Sequence, residues 1–255
     1  MDSTQLSGQV QYENDIQPMP TQYDTGMPPP PNTGSPYQAI RTSLAFNLSV
    51  FKEPRGVMRI FHFIFSICAF ATTTGFTNFV IIESTEYRAE FEIEYPYRLN
   101  HLVKEVNVGN NTEKIQLYGN FSSDAEFFVA TGVIAMLYTI AVIVLYVLFD
   151  AMYQSKEIIP ITDFALTTIV AVLWLSGSAA WANGLTGLKT VTDPETLGEH
   201  YPKAAVHTGS YSKLSISVLL GFLNFFLWTS DLWFLYKETT WFKLRQSVNE
   251  PVTTA

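Results

Sequence analysis

Four apolar stretches, each more than 20 residues long, constrain this chain more than any other feature. They occupy 57–82, 125–149, 161–181 and 214–236. A helix rises about 1.5 Å per residue, so each stretch can cross a hydrocarbon core of about 30 Å. Buried helices of a soluble protein are the competing explanation. Four of them in a chain of 255 residues would leave too little polar surface to cover them. Charge is scarce in the same sense: 15% of residues are charged, where a soluble globular chain carries roughly 25%. The pattern predicts an all-α transmembrane fold, a four-helix bundle.

The remaining composition excludes several classes. A net charge of −8 and a pI near 5.0 argue against a nucleic-acid binder, which shows a basic face. The single cysteine, Cys68, excludes an intrachain disulfide framework and any cysteine-based metal site. Cys68 falls inside the first apolar stretch, away from the membrane surface, which argues against palmitoylation. No zinc-protease helix, nucleophile elbow, phosphate loop or dinucleotide fingerprint occurs. No enzyme is expected, and no cofactor or metal.

Residues 1–50 are polar and hold seven of the 13 prolines, four of them consecutive at 28–31. Such a segment buries too little apolar surface to offset its ordering entropy, and a disordered tail is expected. It lacks the basic start and apolar run of a secretory signal. The proline run fits a polyproline docking site or a plain solvated tail. Residues 51–242 then form the membrane domain and 243–255 a second short tail.

Four spans put both termini on one side. Lys52, Arg55 and Arg59 sit at the entry to the first span, and Lys237, Lys243 and Arg245 follow the fourth. Positive charge close to span ends stays cytoplasmic. The glycosylation signals agree: Asn110 (with Thr112) and Asn120 (with Ser122) lie in the long loop 83–124, expected to be lumenal. Asn47, in a third such tripeptide, falls on the cytosolic side and is expected to be unused.

The long loop has structure of its own. Glu90-Phe91-Glu92-Ile93-Glu94-Tyr95 alternates strictly between acidic and apolar residues. Val106 and Val108, then Ile115 and Leu117, alternate around Gly109-Asn110-Asn111, a turn signal. A small antiparallel β-sheet in this first loop, set on the lumenal helix ends, is the expectation. With no disulfide to pin it, packing must hold it. Eight acids against four bases in the loop fit a cation site or a solvated acidic face. His101, His200 and His207 are also expected to be lumenal, where an acidic compartment would charge them.

In the fourth span Ser217, Gly221, Asn224, Trp228 and Asp231 recur at spacings of 4, 3, 4 and 3 and share one stripe. Small and polar side chains let membrane helices approach and hydrogen-bond across the gap. Shorter stripes are Cys68, Thr72 and Gly75 in the first span, Gly132, Ala135 and Thr139 in the second, and Ala171, Leu175 and Ser178 in the third. They fit packing within the bundle or a face for a partner helix. Asp231 lies about 7 Å from the end of its span, where interfacial hydration and pairing within the bundle are both open. The span tolerates it: a mid-bilayer Asp costs about 2.5–3.5 kcal/mol, and the surrounding aliphatic and Phe residues return more.

Several segments carry a resemblance. They are Phe91-Glu92-Ile93-Glu94-Tyr95-Pro96-Tyr97-Arg98-Leu99, then Gly119-Asn120-Phe121-Ser122-Ser123-Asp124-Ala125-Glu126-Phe127-Phe128-Val129, then Ser178-Ala179-Ala180-Trp181-Ala182-Asn183-Gly184-Leu185 with Thr192-Asp193-Pro194. Gly221-Phe222-Leu223-Asn224, Leu232-Trp233-Phe234 and Lys237-Glu238-Thr239 complete the set. In this order, across residues 51–242, the chain resembles the synaptophysin family within the wider four-span MARVEL group. The resemblance implies a multi-pass protein of synaptic or other small transport vesicles, with both termini cytosolic. It implies binding to a vesicle SNARE of the synaptobrevin type, contact with the vesicular proton pump, association with membrane lipid including cholesterol, and self-assembly into homo-oligomers. The chain departs from the family in having no lumenal cysteines, no long Gly/Tyr-rich tail after Tyr236, and Asp231 where relatives tend to carry Asn.

The expected function is therefore a vesicle-membrane organiser that sorts or chaperones partner membrane proteins in trafficking and exocytosis. The polar stripe of the fourth span is its expected working face. The alternatives are an oligomeric pore in which that stripe faces water, and an adhesion protein that uses the lumenal sheet.

Overall fold

The computed structural model describes residues 51–149, 153 and 155–239. The proline-rich tail, Asn47 and the tail 243–255 lie outside the described residues. Four long helices carry the structure: α1 (Pro54–Thr74), α2 (Ser122–Leu148), α3 (Ile158–Val191) and α5 (Ser212–Glu238). All four are long and apolar enough to cross a membrane. Each packs on its neighbours in sequence, and α5 closes the ring against α1.

The first predicted span is corrected. Its helix ends at Thr74, and Thr77–Glu83 is a strand, β1. Thr72, Thr73 and Thr74 lose rotamer freedom in a helix, and Gly75 supplies the C-cap, its N–H bonding the Ala71 carbonyl at 2.9 Å. The run Phe79-Val80-Ile81-Ile82 is apolar enough to read as membrane helix, but it alternates in burial as a strand does. At 21 residues α1 still covers about 31 Å. The third span is longer than expected. At 34 residues α3 covers about 51 Å, and its last turns, with buried Leu185 and Leu188, run on beneath the sheets. Pro54 opens α1 at a position that needs no N–H, and Asp124 in the first turn of α2 suits the positive end of the helix dipole.

Two sheets sit on the helix ends away from the termini. The first has the order β2 (Arg88–Glu94), β1, β5 (Ala205–Thr208), all antiparallel. In β2, Ala89, Phe91 and Ile93 are buried, and Glu90, Glu92 and Glu94 are exposed, so the alternation places the acids in solvent. The second is the hairpin β3 (Val103–Val108) and β4 (Asn111–Gln116). Its two-residue connection begins at Gly109, whose φ of +60° suits glycine in a tight hairpin turn. One expectation is corrected: the sheet is not confined to the first loop, because β5 comes from the connection between α3 and α5. That connection also holds the short helix α4 (Pro194–His200), capped where Asp193 accepts from the Glu195 N–H at 3.1 Å.

Aromatic packing joins sheets to bundle. Tyr97 is buried, stacks on Trp181 with ring centroids 5.3 Å apart, and donates its hydroxyl to the Thr73 carbonyl at 2.5 Å. It adopts φ +68°, a left-handed conformation that costs a tyrosine about 1 kcal/mol and is held by these contacts. Phe76 packs on Tyr211, and Leu197, Leu117 and Ile115 belong to the same continuous core.

The bundle is inside out relative to a soluble one. Leu137, Ile169, Val172, Leu219 and Phe226 face outward, all more than half exposed. Inside lie Trp174, Trp181 and Trp228 with Thr131, Thr139, Ser178 and Asn224. Lipid offers no hydrophobic gain for burying aliphatic residues, so contact between helices falls to close-fitting and hydrogen-bonding side chains.

Candidate functional site

The stripe of α5 points inward over its whole length. Ser217, Gly221, Asn224, Trp228 and Asp231 are all buried against α1, α2 and α3. Trp181 Nε1 donates to Ser217 Oγ at 2.9 Å, joining α3 to α5. Gly221 lets the helices meet: a Cβ there would lie 2.3 Å from Ser178 Oγ and 2.5 Å from the Phe128 ring. Asn224 Nδ2 donates to the Phe65 carbonyl of α1 at 3.0 Å. In this fold the stripe is a packing face within one chain, the first of the two uses its spacing allows; its side chains are buried against the other three helices.

The shorter stripes divide. Gly132, Ala135 and Thr139 are buried as expected of a packing face. Cys68 is exposed, as is Gly75; the inward face of α1 is instead Arg59, His62, Ser66, Ala69 and Thr73. In α3, Ala171 and Ser178 face inward and Leu175 faces out, because Trp174 takes the interior position one residue earlier.

At the lower end of the stripe the interior becomes charged. Arg59 is fully buried, with Nη2 donating to Asp163 Oδ1 at 2.8 Å and Nη1 standing 3.2 Å from Asp231 Oδ2. The three residues come from three helices. Each lies about 8–10 Å from the helix end nearer the termini, so they meet at one depth. Asp163 is densely solvated by protein. Besides Arg59 it accepts from the Tyr138 hydroxyl at 2.5 Å, from the Tyr146 hydroxyl, and from Tyr153 at 3.4 Å. Thr167 also receives a hydrogen bond from Arg59 Nη2 at 3.1 Å.

Aromatic faces complete the enclosure. The guanidinium of Arg59 lies 5.6 Å from the Trp228 and Tyr138 ring centroids, a cation–π geometry. His62 stacks on Trp228 at 4.1 Å and 11°, with Nδ1 3.9 Å from Asp231 Oδ2. Arg55, one turn before Arg59, sits over Tyr146 and Tyr153 and pairs with the half-exposed Glu53 at 2.7 Å; Glu238 stands 3.9 Å away. The cluster therefore grades from a solvated rim to a sealed interior.

Of the acids in this cluster only Asp231 stands out in the sequence, where its pairing is open; in the fold it is paired with Arg59. Arg59 belongs inside the span, not at its margin. Asp163 and His62 fell within predicted spans unremarked, although an ionisable residue at membrane depth is itself a signal. Asn110 and Asn120 are placed apart from the cluster, both exposed at the sheet-bearing end. Asn110 is in the β3–β4 turn; Asn120 Oδ1 accepts the Ser122 N–H at 3.1 Å and helps start α2.

The buried ion pairs of four apolar helices describe a multi-pass membrane bundle. The membrane-associating domain MARVEL matches residues 50–234, taking in α1 to α4, both sheets and most of α5. Proteins that carry this domain work in vesicle trafficking and membrane apposition. The chain belongs to the MARVEL family of membrane-associating proteins.

Proposed function

We propose that this protein is a non-enzymatic organiser of transport-vesicle membranes, of the synaptophysin type. It gathers partner membrane proteins through the outside of its bundle. The observation that carries this reading is the division of the helices into a saturated interior and a broad apolar exterior. Trp174, Trp181, Trp228 and the ion pairs fill the inside, whereas Ile134, Leu137, Ile169, Val172, Leu219 and Phe226 present the outer surface. Partners fitting that exterior are other single-span or multi-span helices. A vesicle SNARE of the synaptobrevin type, membrane subunits of the vesicular proton pump, further copies of this chain and cholesterol are the occupants the family resemblance suggests.

The proposed orientation keeps both termini in the cytosol. Exposed Lys52 and Lys237 lie at the terminus-bearing end, as positive charge on the cytoplasmic side requires. The sheets are then lumenal, and Asn110 and Asn120 are glycan acceptors. Glycosidase treatment should shift the full-length protein, and the Asn110→Gln/Asn120→Gln variant should show no shift. Protease added to sealed vesicles should remove the first fifty residues.

Cross-linking mass spectrometry on isolated vesicles tests the organising role. Leu219→Ala/Phe226→Ala on the outer face of α5 should lose membrane partners while the bundle stays folded. Undiminished recovery of every partner across outer-face variants of all four helices would defeat the proposal.

A further inference from the structure

The buried cluster does not balance its charge. Its sealed part holds one permanent cation, Arg59, and two carboxylates, Asp163 and Asp231, all less than 5% exposed. The described groups around Asp231 are Arg59 and His62 from α1, Tyr138 and Tyr146 from α2, and Asp163 from α3. Arg55 is occupied at the rim by Glu53 and Glu238, so the rim supplies no spare positive charge. An excess negative charge enclosed by protein at membrane depth is too costly to keep. Such a group neutralises instead.

The two carboxylates are not equivalent. Asp163 accepts hydrogen bonds from Arg59, Tyr138, Tyr146 and Tyr153, which is the environment of an anion. Neither oxygen of Asp231 accepts a hydrogen bond; its Oδ2 stands 3.2 Å from Arg59 Nη1 and 3.9 Å from Nδ1 of His62. The ring nitrogens of His62 have no side-chain hydrogen-bond partner and only the Leu227 carbonyl as a backbone acceptor, so an imidazolium there would leave a donor unmet. We propose that Asp231, facing His62 across the α1–α5 contact, is a buried proton-binding site that holds one proton while Asp163 stays ionised against Arg59. The ligand is the proton itself: no group of three or more His, Cys, Asp or Glu side chains among the described residues could hold a metal ion.

Charge balance makes the site a counter. One proton offsets one surplus acid, so removing either acid releases it. Infrared difference spectroscopy on the full chain in phosphatidylcholine vesicles, with carbon-13 aspartate, reads this directly. The wild type should show a protonated aspartic-acid carbonyl band at neutral pH, downshifted in deuterium oxide. The isosteric Asp231→Asn variant should lose that band entirely. Asp163→Asn should lose it too, because Arg59 then takes Asp231 as its only anion. A wild-type spectrum without the band, or a band that survives in Asp231→Asn, overturns the site; a band retained in Asp163→Asn overturns the charge-balance argument beneath it. The isotope-edited wild-type spectrum decides the matter even where a variant fails to fold.

Discussion

Tyr97 reaches from the sheets to the bundle and lies against Trp181, ring centroids 5.3 Å apart and nearly parallel. Its hydroxyl ends on the last turn of α1, at the Thr73 carbonyl. One side chain thus ties β2 to two membrane helices. A buried neutral hydrogen bond is worth about 1 kcal/mol, and leaving the Thr73 carbonyl unmet costs comparably. Tyr97→Phe should keep the stacking and lose about 1–2 kcal/mol. Hydrogen exchange should speed up at β1 and β2 and stay unchanged in the middle of α2.

The same tyrosine gives the platform an alkaline limit. Burial pushes the phenols of Tyr97 and Tyr211 above the ordinary tyrosine range of about 10. Because the folded form resists losing these protons, their contribution is complete below about pH 10 and declines above it, where the unfolded chain ionises first. Hydrogen exchange of the sheet amides across this range should show the platform loosening. Tyr97→Phe should flatten part of that dependence. A pH-independent platform would remove the argument.

Arg59 holds two acids, so its loss should be severe. Removing one member of a buried ion pair costs about 3–5 kcal/mol, because an uncompensated charge remains. Arg59→Met should lower the melting temperature in detergent far more than Arg55→Met, whose partners Glu53 and Glu238 are partly solvated. The triple variant Arg59→Met/Asp163→Leu/Asp231→Leu should recover a large part of the loss. Recovery stops short of complete because Tyr138 and Tyr146 lose their common acceptor.

Gly221 marks a close approach of α5 to Ser178 of α3 and Phe128 of α2. Gly221→Ala places a methyl 2.3 Å from Ser178 Oγ and 2.5 Å from the Phe128 ring, and overpacking of this kind costs about 1–3 kcal/mol. The double variant Gly221→Ala/Ser178→Gly relieves the first contact and should regain part of the melting temperature. Equal melting of the single variant and the wild type would show that α5 can shift outward freely.

The helices, the β2 alternation and the Gly109 hairpin were legible because each is written in local periodicity. The errors have physical causes. β1 is as apolar as a span, and only its pairing with β2 and β5 makes it a strand. β5 is four residues of weak alternation that gain strand structure from an edge made 122 to 128 residues earlier in the chain, a relation no window can contain. At the charged cluster, Asp231 stood out as an acid five residues inside the end of a predicted span. Asp163 and Arg59 each lie near a span end, where charge is ordinary, and their meeting across three helices is a property of the packing. His62 was visible as a span histidine; its stacking on Trp228 was not.

The pairing of β5 with β1 has a consequence for how the molecule is made. β1 follows the first helix, and its partner edge is supplied only after the third helix has emerged from the ribosome. Until residues 205–208 arrive, β1 carries an open hydrogen-bonding edge, and the nascent chain stays an unfinished assembly that other strands can join. The first sheet therefore cannot be complete until the connection between α3 and α5 has been made. A chain halted before Ala205 would leave at the edge the strand that the finished sheet holds at its centre.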